Sequence, residues 1–518
     1  MRPLLSLVQR WKAVRWSALA LLVVLGLGAL NIPYPFSGDQ ALFSLGASEL
    51  RNGGRLYIDF WDIKQPGVFW FYYVGGLIFG ITEEGIHVFE LLYWALFAIC
   101  FLAIARRDLR DDSLAAAGLV LAVGTYYAVA GPLHLTQLEM LVSLPLLFGV
   151  WLVSAEYRSW RTQRLGFCLA GLMGAVVVTA KLMMALILLA VLVNTLVSRT
   201  FRSDRRDRSA SPLDFALLIA GLFAPLAAVW LWWRAANEVS VIYDTFVILP
   251  LRILDVPTAR APLGRLGGSV TWFLTYFSIP AAFGVGGAIL SLKQRGSLFR
   301  MNLALWVVTG GLVILLQRAS WWEYQMLLLL VPLGYLSPLA LRRASSGYQA
   351  RTVILACALV LMIPAFGRIV IKSLDWRYAL ERGGTRPALA YKRHESPTYD
   401  AIYAGDEFLR RADAQAGPIA VLGDPLHIYL AGRRQATSIN GWALELYPEE
   451  QWTALFKQLD RARPAYVFVA RDYEELISTR KPEIWRLLAA SYRRREAVSD
   501  GVWYEREFRS LMNLLPTD

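Results

Sequence analysis

The sequence predicts an α-helical polytopic membrane protein of about 11 transmembrane helices, followed by a small C-terminal α/β extracytoplasmic domain. Three observations predict it. Of the 518 residues, 56% are hydrophobic and only 18% charged, with a mean hydropathy of +0.42. Soluble domains hold about 45–50% apolar and about 25% charged residues. Apolar runs approaching the ~20 residues needed to cross a bilayer recur up to residue 371. The 53 Lys and Arg gather in alternate loops between those runs. This balance argues against a soluble enzyme, a disordered scaffold and a disulfide-stapled secreted module. The 19 Trp and 23 Tyr fit the same class, because such side chains collect at membrane–water interfaces.

The candidate spans are 14–32, 86–105, 113–131, 138–155, 165–180, 182–198, 212–233, 269–291, 301–317, 322–341 and 352–371. Those at 165–180 and 182–198 are short and predict a tight hairpin. The stretch from Val68 to Thr82 is too short for a comfortable span, and its status decides the sidedness of every later loop. Lys and Arg concentrate in short cytoplasmic loops. With 68–82 left out, one side receives Arg2, Arg10 and Lys12, then Arg106, Arg107 and Arg110, then Arg158, Arg161 and Arg164. The same side receives the clusters beginning at Arg199, Lys293 and Arg342. The other side holds only scattered cations such as Arg51, Arg55, Lys64, Arg252, Arg260, Arg265 and Arg318.

Val68–Thr82 is therefore read as an interfacial or re-entrant helix on the outer face. The N-terminus is expected inside, on an uncleaved anchor, and the C-terminus outside. The formal charge of +13 is then mostly an orientation signal, and nucleic acid is not an expected partner. Cys100, Cys168 and Cys357 lie in apolar runs and form neither a disulfide framework nor a metal-binding spacing.

From Ser373 onward the composition turns to mixed charge with short apolar runs. Pro418–Leu422 and Ala465–Ala470 read as buried strands, and 399–411, 449–462 and 480–492 as amphipathic helices. Two domains follow: 1–372, with an outer loop at 33–85, and 373–518. No phosphate-cradling glycine loop and no convincing inverted repeat is visible.

Chemistry is sought where ionisable groups stand at an apolar boundary, because they cost free energy there unless paired. The loop 33–67 carries Asp39 just after the first run, then Tyr57, Asp59, Asp62 and Lys64 behind a Gly53-Gly54 turn. Water-facing charge is the plain alternative, weighing most for Asp59. Glu139 opens the 138–155 run on the same side, where helix capping competes with function. His134 nearby reads as a hydrogen-bonded loop residue. Two carboxylates from different loops can hold a sugar, a hydroxyl under base activation or a divalent ion, and the residue types admit all three. Lys64, Lys181, Arg252, Arg260, Arg265 and Arg318 are candidates for binding an anion such as a lipid phosphate, set against snorkelling to headgroups.

In order and sidedness these residues resemble the GT-C membrane glycosyltransferases, most closely family 39, which includes protein O-mannosyltransferases and the lipid A aminoarabinose transferase. The matching residues are Asp39-Gln40, then Gly54, Tyr57, Asp59, Asp62 and Lys64 in GGRLYIDFWDIKQPG. Further on they are Glu139 in LEMLVSLPLLFG, Gly171, Gly174, Thr179 and Lys181, and finally Glu323-Tyr324. Gln40, Gln65 and Glu323 stand where the family usually has an acid, a proline and a histidine.

The resemblance implies an inverting transfer of sugar from a polyprenyl-phosphate donor to a hydroxyl of a glycan, lipid or protein, at the outer face of the plasma membrane. Asp39 is then the base and Glu139 a supporting carboxylate. Lys64, Lys181, Arg260 and Arg265 meet the donor phosphate, and Tyr57, Asp59, Asp62, Glu323 and Tyr324 line the substrate site. The resemblance names no particular cofactor, and a divalent cation is compatible with the carboxylates. The competing class is a transporter or flippase of lipid-linked glycans, whose charges are expected near the membrane midplane. A non-catalytic glycan-binding scaffold is a third.

Overall fold

The computed structural model describes residues 2–201, 210–235, 238–294, 297–344, 352, 357 and 360–507. Among the described residues, seven helices are long and apolar enough to cross a membrane: Glu83–Leu109, Asp112–Val129, Trp160–Ala180, Leu182–Thr200, Pro212–Ala235, Leu298–Leu316 and Glu323–Ala344. An eighth apolar segment is a pair, Leu263–Tyr276 and Ser278–Lys293, bent by 93° at its break. Three shorter apolar helices are Val14–Ala29, Pro66–Phe79 and Leu138–Ser154. The protein is a multi-pass membrane protein.

Eleven spans were expected, and the differences lie at particular runs. The run at 138–155 forms the shorter apolar helix Leu138–Ser154, whereas the run at 14–32 is the apolar end of a 28-residue helix, Arg2–Ala29. The run at 269–291 is broken, with Pro280 in the first turn of its second helix, where its missing N–H and fixed φ suit a helix start. The run at 352–371 falls partly outside the described residues. The hairpin at 165–198 is present, its two helices separated by Lys181 in extended conformation. Pro66–Phe79 is a 14-residue helix that ends on Gly80, whose φ of +88° a side chain would resist.

The chain packs into two compact units. The first comprises Met1–Tyr34, Lys64–Asn237 and Arg260–Gly384. The second comprises Pro35–Ile63, Glu238–Ala259 and Thr385–Asp518. The second unit thus includes two early segments as well as the expected C-terminal region. Its sheet runs β1 (Ile419–Leu422), β2 (Tyr466–Ala470), β4 (Gly501–Arg506), β3 (Tyr492–Ala497) in spatial order. The pair β1–β2 is parallel and the other two pairs are antiparallel. Ile419, Val421, Ile428, Tyr466, Phe468 and Trp503 form its apolar core, with Phe408 and Leu409. Both expected strands and a helix at Glu449–Ala462 are present; β3 and β4 are additional.

Candidate active site

In the second unit, Asp39 sits in the first turn of the helix Gly38–Arg51, where the helix dipole favours a carboxylate. Gln40 accepts a hydrogen bond from the Ser37 N–H at 2.8 Å, so the residue after Asp39 serves to cap this helix. The indole Nε1 of Trp442 donates to Asp39 Oδ1 at 3.1 Å. Gly38 permits that approach: a β-carbon there would lie 2.8 Å from the Trp442 ring and 3.1 Å from an oxygen of Asp424. Burial lifts the Asp424 carboxyl to about 6, with Asp500 and Asp39 adding to the effect.

The other candidates of this unit are spent largely on the protein itself. Tyr57 is buried at a φ of +72°, its ring edge-on to Phe246, and burial and Asp62 push its phenol well above the usual range. Asp62 is buried and accepts from Asn440 Nδ2 at 3.0 Å, while Asn440 also donates to the Trp61 carbonyl. Asp59 is exposed and paired with Arg55 at 3.3 Å. Arg252 pairs with Glu450 at 3.1 Å.

In the first unit, Lys181 Nζ meets Glu139 Oε1 at 2.5 Å. The carboxylate side chain is 1% exposed and the lysine side chain 18%. One N–H of the ammonium is used by Glu139, which leaves two donors for another anion. Lys64 is half-buried just before the helix Pro66–Phe79, whose Gly67 fits closely against the Thr179–Ala180 backbone. A β-carbon on Gly67 would lie 2.7 Å from the Ala180 Cα and 2.9 Å from the Thr179 carbonyl oxygen. That close approach brings the segment carrying Lys64 to the segment carrying Lys181.

The short helix Leu138–Leu141, which carries Glu139, packs against the turn Glu323–Leu329. Glu323 Oε1 lies 3.2 Å from His134 Nε2, and the Gly131 N–H donates to His134 Nδ1 at 3.1 Å. An Nδ1 that accepts leaves the proton of the neutral ring on Nε2, the side facing Glu323. Burial pushes this imidazole down against the pull of Glu323, and its ring stacks on Trp272 at 4.7 Å. Tyr324 is half-buried on the same turn. Arg265 lies over the Trp322 ring at 4.4 Å, and Arg260 is exposed at the head of this segment.

Sequence reasoning missed Trp442, Asp424, Asn440 and Trp272. The signals available were weak: a Gly-Asp-Pro turn directly after β1 and an Asn-Gly-Trp segment, both ordinary loop chemistry. Among the described residues, no group of three or more His, Cys, Asp or Glu is arranged to hold a metal ion.

No protein-family model and no curated protein matches the sequence. Solved structures do. ArnT from Cupriavidus metallidurans, bound to undecaprenyl phosphate, superposes with a TM-score of 0.60 at 16% identity, over 95% of this chain and 97% of that one. The same protein in the apo state gives 0.62 at 16% identity, over 96% and 98%. The chain has the GT-C fold. AglB from Archaeoglobus fulgidus, an archaeal oligosaccharyltransferase, also aligns, with a TM-score of 0.46 at 14% identity over 90% of this chain and 70% of that one. The correspondence with ArnT runs nearly the full length of both chains, so the GT-C architecture includes the α/β region as well as the apolar helices.

Proposed function

We propose that this protein is an inverting glycosyltransferase of the plasma membrane, moving a sugar from a polyprenyl-phosphate donor to a hydroxyl of a cell-envelope glycan, lipid or protein. The observation that carries the reading is the full-length GT-C likeness to ArnT, a protein solved with undecaprenyl phosphate bound. The N-terminus is assigned to the cytoplasm and the α/β region to the outer side, following the distribution of Lys and Arg.

The reaction is a single displacement. The acceptor oxygen bonds to the anomeric carbon as the bond from that carbon to the phosphate oxygen breaks. Asp39 takes the acceptor proton, and the Trp442 N–H orients its carboxylate. The leaving polyprenyl phosphate gathers negative charge, which suits cations held ready for it. Lys64 and Lys181 are the main partners in that role, with Arg260 and Arg265 further along. Glu139 acts as a supporting carboxylate by fixing the Lys181 ammonium. Tyr57 and Asp62 support the loop that follows Asp39, and Glu323, Tyr324 and Asp59 are assigned to the substrate.

The deciding experiment incubates purified protein with a panel of polyprenyl-phosphate sugars and traces the labelled sugar by mass spectrometry. Wild type is expected to transfer from at least one donor, and Asp39→Asn to lose at least about 100-fold, the scale of general-base catalysis. Near-wild-type transfer by Asp39→Asn removes the base role.

A further inference from the structure

A buried carboxylate outside the assigned roles stands in the helix Glu83–Leu109. Glu90 is 1% exposed, in a segment otherwise apolar enough to cross a membrane. A carboxylate in such a place is costly and calls for specific partners. Its partners belong to one loop and the helix before it. Glu90 Oε1 accepts from the Thr136 backbone N–H at 3.1 Å and from Tyr126 Oη at 2.7 Å. Tyr126 Oη also lies 3.2 Å from the His134 carbonyl oxygen.

Thr136 is itself strained. Its φ is +55°, a left-handed conformation that a β-branched side chain resists. Such backbone persists only where its surroundings over-determine it. Here Glu90 holds the Thr136 amide, and Tyr72 Oη lies 2.5 Å from Thr136 Oγ1. The hydroxyl also donates to the Leu135 carbonyl at 2.7 Å. Tyr72 comes from the helix Pro66–Phe79, whose Gly67 abuts Ala180. Three residues after Thr136 the chain delivers Glu139 to Lys181.

We propose that Glu90 is a positioning residue: by holding Thr136 in its left-handed conformation it aims the 131–139 loop so that Glu139 fixes the Lys181 ammonium. The effect on transfer rests on the glycosyltransferase reading above; the effect on the loop does not. The Glu90 carboxylate makes no contact with substrate and moves no proton in the reaction. A neutral acceptor of the same shape does the same work, because the role needs an oxygen and not a charge.

The test compares Glu90→Gln, Glu90→Ala and Glu90→Ala/Thr136→Gly in purified full-length protein. Glu90→Ala is expected to lower kcat by about 10- to 100-fold, the scale of a misplaced group, with KM for the polyprenyl-phosphate sugar within about 3-fold of wild type. Glu90→Gln is expected to stay within about 3-fold of wild type in both constants, because it keeps the acceptor oxygen. Glycine accepts positive φ without strain, so the double variant is expected to recover at least about 5-fold over Glu90→Ala.

Wild-type kcat in Glu90→Ala, or equal losses in Glu90→Gln and Glu90→Ala, or no recovery in the double variant, overturns the proposal. Should Glu90→Ala not fold, Tyr126→Phe removes one donor only; a drop of a few-fold in kcat supports the proposal, and no change overturns it. Should wild type transfer no sugar, the reaction assignment fails separately. Hydrogen exchange of peptides spanning 131–141 then decides the positioning role. Faster exchange in Glu90→Ala than in wild type and Glu90→Gln supports it, and identical exchange in all three overturns it.

Discussion

Glu139 and Lys181 share their ion pair unequally, because the carboxylate is sealed from solvent and the ammonium is not. Removing the cation strands a buried charge, whereas removing the carboxylate leaves a lysine whose long stem can reach water. Lys181→Met is therefore expected to destabilise the protein more than Glu139→Gln, by about 1–2 kcal/mol, read from thermal unfolding in detergent. Equal shifts count against the asymmetry. Trp442→Phe deletes the indole N–H that reaches Asp39 and little else. A hydrogen bond to a charged group is worth about 1.5–3 kcal/mol, so transfer is expected to fall roughly 10- to 100-fold with circular dichroism unchanged. Asp39, Lys64, Glu139 and Lys181 were legible as candidates because each is an ionisable group at the end of an apolar run. Trp442 was not, because its partner lies about four hundred residues away in the chain and no local pattern encodes that pairing.

At the scale of elements, the close approach of Gly67 to the Thr179–Ala180 backbone joins the segments that carry Lys64 and Lys181. Gly67→Ala is expected to lower both melting temperature and transfer. Ala180→Gly is not expected to rescue it, because the atoms struck are the Ala180 Cα and N and the Thr179 carbonyl, which glycine also carries. Rescue by Ala180→Gly shows that the helices are free to shift and removes the argument. The apolar helices were legible from run length, and the failures are specific. Pro280 marked the bend that a hydropathy run at 269–291 conceals. Strand β3 escaped because five of its six residues are exposed and it reads Tyr-Arg-Arg-Arg-Glu-Ala, the charge pattern of an edge strand. Strand β4 buries most of its side chains but is too short and mixed to stand out.

For the molecule as a whole, the second unit contains a charge device that responds to pH. His427 lies buried between Asp406 at 2.8 Å and Asp500 at 3.0 Å. Burial opposes its charge, but the two carboxylates outweigh burial and lift the imidazolium from 6.5 to about 9. A folded-state value above the unfolded one stabilises fully below about pH 6.5, and that contribution is lost as pH rises through about 9. Asp424, lifted from 3.8 to about 6, has the same sign in a lower window, losing its contribution between those values. The melting temperature of the full chain is expected to fall between pH 7 and 9.5, and to fall less in His427→Gln. A flat wild-type profile over that range counts against a charged His427.

The unit that holds Asp39 and Trp442 is delivered by the ribosome in three instalments: Pro35–Ile63, then Glu238–Ala259, then Thr385 onward. Its first instalment waits through most of the synthesis before its partners exist. Contacts of such long sequence separation form late and slowly. A nonsense mutation anywhere before residue 442 therefore leaves Asp39 without its indole, however many apolar helices have already been made. Expression of the C-terminal region alone omits the helix Gly38–Arg51 and with it the carboxylate assigned as the base. Neither product is expected to transfer sugar, so transfer reports a chain that holds both the helix Gly38–Arg51 and Trp442.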